Sequence, residues 1–189
     1  RLDWIISQQF QLGLSQATLY GGSGQTAVSA YMNPLNFYYL SQRNQDIQMN
    51  GSWQVNLMLR LPQKIGFYID FYIDDFIINN NSDQVDRDLH PDRLAIMSKV
   101  SVPDIIFEKS LATIRYVRVW NETYVSYRNY ENWVFYDKGL GFPNRSYEGL
   151  KLEYSIFANN RVYHTSSLAL NQIGDRSFQT TLVDSADTE

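Results

Sequence analysis

Two consecutive segments alternate strictly between apolar and polar residues, and this pattern limits the folds open to the chain. In residues 53–61, "WQVNLMLRL", every odd position is apolar. In residues 65–74, "IGFYIDFYID", the odd positions are again apolar, and the even positions after Gly66 hold Tyr68, Asp70, Tyr72 and Asp74. A period of two is typical of a β-strand, because successive side chains point to opposite faces. Only three residues join the two segments, which predicts a β-hairpin over 53–74.

Weaker alternation predicts further strands, and no segment predicts a long helix. The additional candidates start at "FQLGLS" (10–15) and continue at 93–102, 111–120, 150–157, 161–170 and 178–183. Residues 31–45 have no such period and are predicted to form a loop with helical turns, and residues 120–149 are predicted to form a long aromatic connection. Asp75 breaks the alternation, which indicates a bulge or the end of a strand. We therefore predict an all-β antiparallel meander over residues 1–189, either a single domain or a fragment of a larger barrel.

Composition excludes several functional classes. The formal charge of −4 comes from 16 basic and 20 acidic residues that are mixed along the chain, so no basic surface for nucleic acid is expected. Cysteine is absent and only two histidines, His90 and His164, are present. Asp70 and Asp74 share a face of one strand, but ~13 Å of strand separates them, too far for a glycosidase pair. We expect no enzyme activity, no cofactor and no metal.

An acidic stretch raises the question of calcium. Asp83, Asp86, Asp88 and Asp92 supply oxygen ligands within one loop. Their spacing does not match an EF-hand, and arginines lie between them. An ion-paired, solvated loop is therefore the preferred interpretation.

Aromatic residues are the main compositional signal, with 14 Tyr, 10 Phe and 4 Trp. Many lie in 116–136 among arginines, where rings can stack on sugar rings and charged groups can bind sugar hydroxyls or acidic groups. The same residues also fit an interfacial girdle of a membrane barrel or the packing of a long loop. Both interpretations remain open. The candidate ligand-binding residues are Tyr72, Asp74, Arg118, Trp120, Tyr124, Tyr127 and Trp133.

Two settings would accommodate the wholly apolar strand faces. A tilted strand needs ~9 to 11 residues to cross a bilayer, close to the length of 53–61, so the hairpin fits a transmembrane β-barrel. Its odd positions would face lipid and its even positions a wet interior. Arg115 and Arg118 have opposite parity, which requires a bulge near Tyr116 or a position at the membrane rim. A soluble β-sandwich, such as a carbohydrate-binding or adhesion module, would instead bury these faces between two sheets.

Several stretches together resemble the Wzi-like capsule-assembly proteins of bacterial outer membranes. They are "YMNPLNFYYLSQRN", "GFYIDFYIDDFIINN", "HPDR" and "YVRVWNETYVSYRNYENWVFYDKGLGFP", which fall within residues 31–145. The resemblance implies an outer-membrane β-barrel that acts as a lectin for capsular polysaccharide, in contact with membrane lipid and with other envelope proteins as further partners. A porin-like passive barrel would differ only in lacking an ordered ligand, and the sandwich would instead be secreted or displayed at the cell surface.

Overall fold

The computed structural model describes residues 1–19, 50–75, 93–125, 132–135, 138–139, 141–159 and 162–174. These residues form strands, turns and loops and no helix, which confirms the all-β prediction. The strands are β1 (Leu2–Ile5), β2 (Phe10–Leu19), β3 (Asn50–Arg60), β4 (Gly66–Asp75), β5 (Arg93–Pro103), β6 (Ser110–Val119), β7 (Val134–Phe135), β8 (Lys138–Gly139), β9 (Tyr147–Asn159) and β10 (Val162–Ile173). None of these segments supplies a helix long and apolar enough to cross a membrane.

Eight of the strands form one antiparallel meander in the order β1-β2-β3-β4-β5-β6-β9-β10, and β7 and β8 form a separate two-stranded hairpin. The hairpin predicted over 53–74 is confirmed, with Trp53 opposite Ile73 and Leu57 opposite Ile69. The break at Asp75 is both a register irregularity against β5 and the end of β4. The short strands β1, β7 and β8 were not predicted, and β9 begins at Tyr147 rather than at residue 150.

Some predictions concern residues that the structure does not cover. The loop predicted at 31–45, the acidic loop with its calcium candidates and His90, and the strand at 178–183 all fall outside the described ranges.

The register divides the sheet into two faces of different chemistry. Residues in register on neighbouring strands share a face. We call the polar face the one that carries, on its central strands, Gln54, Asn56, Tyr68, Asp70, Tyr72, Ala95, Met97, Lys99, Arg115, Val117 and Val119. The apolar face carries the opposite side chains, among them Trp53, Val55, Leu57, Phe67, Ile69, Phe71, Ile96, Val100, Ile114, Leu152 and Leu168.

Among the residues that the structure describes, none covers the apolar face, whereas the polar face is partly buried. Ile69, Ile114 and Leu168 are 40%, 48% and 61% exposed. In the part of the chain that the structure describes, the main contacts join sheet neighbours, and the apolar face holds no buried hydrophobic side chain. The small buried hydrophobic cluster instead includes Val117 and Val119 of the polar face. The buried apolar side chains of the sheet therefore lie on the face that is richer in polar groups.

The two ends of the sheet also differ. At the short-turn end, the connections 6–9, 61–65, 104–109 and 160–161 have at most six residues each. Side chains cap two of them: Ser7 Oγ accepts hydrogen bonds from the backbone N–H groups of Gln9 and Phe10, and Asp104 Oδ1 accepts one from the N–H of Lys109. At the long-loop end, the connections 20–49, 76–92 and 120–146 have at least 17 residues each.

The two arginines of β6 face opposite sides, as their parity predicts. β6 pairs in regular register with both neighbours, so the bulge considered near Tyr116 is not present. Arg115 lies on the polar face opposite Lys99 and Lys151. Arg118 lies on the apolar face, next to the last residue of β6 at the long-loop end, and its guanidinium lies 4.8 Å from the ring centroid of Trp120. Arg118 therefore lies near the end of its strand at the long-loop end of the sheet.

Candidate ligand-binding site

After β6 the chain folds back over the polar face. We call the described parts of residues 120–142 the covering segment. Hydrogen bonds to Leu94 O from the backbone N–H of Trp120 (3.0 Å) and from Thr123 Oγ1 (2.6 Å) attach its start to β5. The backbone N–H of Tyr124 donates to Asp74 Oδ2 at 3.0 Å, which ties it to the end of β4. A further bond from the N–H of Trp133 to Tyr124 O, 2.9 Å, holds the returning strand in place.

Tyr124 is the centre of this arrangement. Its side chain is 3% exposed, and its ring centroid lies 5.2 Å from that of Tyr72. Its backbone has a φ of 72°, in the left-handed region that bulky residues rarely adopt. Such a conformation costs about 1–3 kcal/mol and persists only where the surroundings enforce it. Here the ring packing and the hydrogen bond to Asp74 supply that enforcement.

Two glycines allow the covering segment to approach the Tyr124 ring. A Cβ atom on Gly141 would lie 2.5 Å from the Tyr124 hydroxyl oxygen, and one on Gly139 would lie 2.7 Å from ring atom Cδ2 and still closer to the carbonyl oxygen of Phe142. Both distances are shorter than a real Cβ contact. The sequence "GLGFP" therefore has a packing role: only glycine permits this close approach.

A cavity of about 280 Å³ lies between the polar face and the covering segment. Its lining is mainly apolar and includes four aromatic rings and four polar side chains, which together can stack on a sugar ring and form hydrogen bonds with its hydroxyl groups. The aromatic lining consists of Tyr72, Tyr124, Trp133 and Phe142, and the polar lining of Ser15, Ser52, Gln54 and Asp70.

The carboxylate of Asp70 is fixed in position by two amides. Gln54 Nε2 donates to both of its oxygens at 2.8 and 2.9 Å, and Asn56 Nδ2 donates to Oδ1 at 2.9 Å. An ionised carboxylate offers about four acceptor positions. The fixed carboxylate can therefore still accept a hydrogen bond from a ligand hydroxyl.

Two buried polar atoms of residues that line the cavity form no hydrogen bond of good geometry. The indole Nε1 of Trp133 donates no hydrogen bond, and the hydroxyl of Tyr72, which lies near that of Ser52, forms none of good geometry. Leaving a buried polar group unsatisfied costs about 1–3 kcal/mol.

The hydroxyl group of Tyr124 has a raised pKa. Burial raises the pKa of the Tyr124 hydroxyl, and the carboxylates of Asp74 and Asp70 raise it further, while the Phe142 backbone acts in the opposite direction. Tyr124 therefore remains a neutral hydrogen-bond donor over the ordinary pH range.

The structure divides the predicted ligand-binding residues into two groups. Tyr72, Asp74, Tyr124 and Trp133 come together at the cavity or directly behind it. Tyr127 is not among the residues that the structure describes.

Arg118 and Trp120 do not join that group. They line a second, more polar depression of about 430 Å³ at the edge of the apolar face, together with Glu148 and Gln172. These two residues therefore lie apart from the other candidates, because Arg118 has the parity of the apolar face.

Sequence reasoning missed Gln54 and Phe142 and treated Asp70 only as polarity of the strand. In the register of the hairpin, Gln54 lies opposite Tyr72, and Asp70 is the next residue of that strand on the same face. The contact between Gln54 and Asp70 could therefore have been predicted from the sequence. His164 lies on exposed β10, where its Nε2 is 2.9 Å from Ser166 Oγ, and it does not line the cavity. Within the described ranges, no group of three or more histidines and carboxylates could hold a metal ion.

Comparison with models of known protein families, with curated proteins and with solved structures gave no match. The resemblance to capsule-assembly proteins therefore stays a prediction that rests on the quoted sequence stretches.

Proposed function

We propose that this chain forms part of the wall of a bacterial outer-membrane β-barrel, and that its polar face binds surface polysaccharide without chemical conversion. The observation that carries the proposal is the broad apolar face, which no described element covers. Soluble monomers rarely expose contiguous apolar patches larger than a few hundred Å². Contact with lipid would remove the cost of exposing Ile69, Ile114 and Leu168 to water.

The length and arrangement of the strands support a membrane wall over a sandwich. The inner strands β2 to β6 have 10 or 11 residues, close to the ~9–11 that a tilted strand needs to cross a bilayer. A sandwich would place a second sheet against the apolar face, but the seven long strands that the structure describes belong to one sheet.

The two ends of the sheet support an orientation. Outer-membrane barrels have short periplasmic turns and longer extracellular loops, with aromatic residues at the interfaces. The long-loop end would accordingly face outward. At that end, Arg118 stacks on Trp120 and the Tyr116 hydroxyl donates to Glu148 Oε1 at 2.9 Å, a combination suited to a lipid headgroup region.

The cavity supports polysaccharide as the ligand. It lies toward the long-loop end of the polar face. In a barrel it would therefore open into the interior, close to the extracellular end. It combines aromatic rings with a fixed carboxylate. Sugar rings offer both apolar faces and hydroxyl groups, so they match this lining better than a purely apolar ligand would.

A fractionation experiment tests the membrane assignment. The protein should be extracted from outer membranes only by detergent and should migrate faster on a gel when it is not heated, as a folded barrel does. Partition into the soluble fraction with a cooperative melt in plain buffer would contradict the proposal.

A binding experiment tests the site. Trp133→Ala should weaken binding to isolated capsular polysaccharide, because Trp133 lines the cavity. Trp120→Ala is the matched control, because Trp120 does not. Equal loss in both variants, or no loss in either, would remove the cavity as the binding site. If no capsular polysaccharide binds at all, a passive barrel becomes the better assignment.

A further inference from the structure

Three basic residues lie side by side on the polar face. Lys99 of β5 pairs in register with Arg115 of β6, and Arg115 pairs in turn with Lys151 of β9. Side chains directly opposite one another on neighbouring antiparallel strands have Cβ atoms ~4.5–5.5 Å apart. We call these three residues the basic row. It places three cationic side chains along one line across the sheet.

One of the three cations has an acidic partner. Lys151 forms an ion pair with Glu153, which lies two residues further along β9. Lys99 instead has its ammonium 5.9 Å from the ring centroid of Tyr68. Within the described ranges, no ion pair joins Lys99 or Arg115 to a carboxylate, and both residues are exposed. The basic row therefore presents two accessible cations on this face.

A second carboxylate near the basic row, that of Asp70, is held toward the opposite side. Asp70 lies on β4, two residues from the position in register with Lys99. Its oxygens accept three hydrogen bonds from Gln54 and Asn56 of β3, which is the neighbour of β4 on the side away from β5. Even with Asp70 and Glu153 both ionised, the three cations of the basic row outnumber these two acids.

The basic row is unfavourable for the sheet itself. Like charges directly opposite one another on neighbouring strands are destabilising, and Arg115 has a lysine opposite it on each side. An acidic residue at position 115 would turn both repulsive pairs into attractive ones. Proteins violate such local rules mainly where function requires it. A ligand that carries negative charge would explain why a cation stands between two others.

The basic row is adjacent to the cavity. Met97 and Val117 line the cavity, and each lies two residues along its strand from a member of the basic row. Two residues of a strand span ~7 Å. An extended polymer with one residue in the cavity would therefore reach Lys99 and Arg115 with a neighbouring part of its chain.

We infer that the basic row binds carboxylate groups of an acidic surface polysaccharide, so that the polar face prefers chains with uronic-acid residues to neutral chains. This inference rests on the proposed function and names the substrate class of that face. Arg115 can bind a carboxylate through two parallel hydrogen bonds, and Lys99 adds a second positive charge beside it. Because water and salt screen exposed charges, we expect a preference of about tenfold at low salt.

The experiment compares matched polysaccharides. Capsular polysaccharides that contain uronic acids are used in native form and after reduction of their carboxyl groups to alcohols. Binding to the detergent-purified protein is measured by titration calorimetry at low and at high salt. We expect the native forms to bind about tenfold more tightly than the reduced forms at low salt, and added salt to diminish this ratio.

The two arginines of β6 provide a matched pair of variants, because they face opposite sides of the sheet. Arg115→Gln should bring the native and reduced forms to nearly equal affinity, and it should not lower the free energy of unfolding, because it relieves repulsion by both lysines. Arg118→Gln removes the same charge from the apolar face and should leave the preference unchanged. Lys99→Gln is the second variant of the basic row and should reduce the preference as Arg115→Gln does.

The outcomes separate the inference from the proposed function. Equal or tighter binding of the carboxyl-reduced forms would overturn the inference and leave polysaccharide binding standing. A preference for native forms that persists unchanged in folded Arg115→Gln and Lys99→Gln would overturn the basic row as the carboxylate site. Failure of every polysaccharide to bind would overturn the proposed function as well.

Discussion

The two faces of the eight-stranded sheet differ in how far their apolar side chains are buried. On the apolar face, large side chains such as Ile69 and Leu168 remain 40% and 61% exposed. On the polar face, small side chains such as Ala95 and Val117 are only 8% exposed, because the covering segment packs on them through Tyr124. A soluble domain would bury both sets, because Ile, Leu, Val and Ala are among the residues most often buried. The comparison indicates that the buried side chains of the sheet lie where the covering segment packs, and that no described residue covers the apolar face.

We expect the largest loss of stability from a charged residue at the centre of the apolar face. Ile69→Arg should cost ~2–4 kcal/mol if the side chain faces lipid at mid-bilayer. Ser101→Arg on the polar face of the next strand should cost much less, because its side chain would face water. The measurement is the free energy of unfolding in lipid vesicles by urea titration. Equal costs for the two variants would mean that the faces do not differ in environment.

The next prediction concerns the covering segment. Gly141→Ala would place a methyl group 2.5 Å from the Tyr124 hydroxyl oxygen, so we expect a loss of ~1–3 kcal/mol and weaker polysaccharide binding. Gly66→Ala is the matched control, because a Cβ there would meet no atom within 4 Å. Unfolding titrations of both variants would test this. A Gly141→Ala protein as stable as the control would show that the segment does not hold this position.

The sequence predicted much of the sheet but only part of the site. Period-two alternation predicted every long described strand and both faces of the central hairpin, because side-chain direction in a strand follows directly from position. The two-residue strands β7 and β8 are too short to carry a period. The contact between Tyr124 and Asp74 spans 50 positions and depends on the path of a loop, which alternation does not encode. The arginines illustrate the same limit: parity predicted the face of Arg118, but its place beside Trp120 depends on where β6 ends.

The pH dependence of the free energy of unfolding tests the burial of Tyr124 on the polar face. The pKa of Tyr124 is raised in the folded protein, so above pH ~10 the unfolded chain loses this proton first and binds fewer protons than the folded chain. The contribution of Tyr124 to the free energy of unfolding is complete below pH ~10. It falls by up to ~1.4 kcal/mol per pH unit as the pH rises above that value. Tyr124→Phe should remove part of this alkaline loss, whereas Tyr163→Phe, at an exposed position, should not. Identical alkaline profiles for wild type and Tyr124→Phe would argue against a buried Tyr124.

The smallest expected effect on stability is that of substituting Arg118, which lies near the end of β6 on the apolar face. Arg118 is exposed and stacks on Trp120 at 4.8 Å, and such a contact is worth ~0.5–1 kcal/mol at an exposed site. Arg118→Ala should therefore reduce the free energy of unfolding in vesicles by no more than ~1 kcal/mol, and it should leave binding at the cavity unchanged. Arg118→Lys keeps the charge but not the planar group that stacks, so it should recover only part of the loss. A loss of several kcal/mol in Arg118→Ala would place this residue inside the apolar region and would contradict its position at the edge.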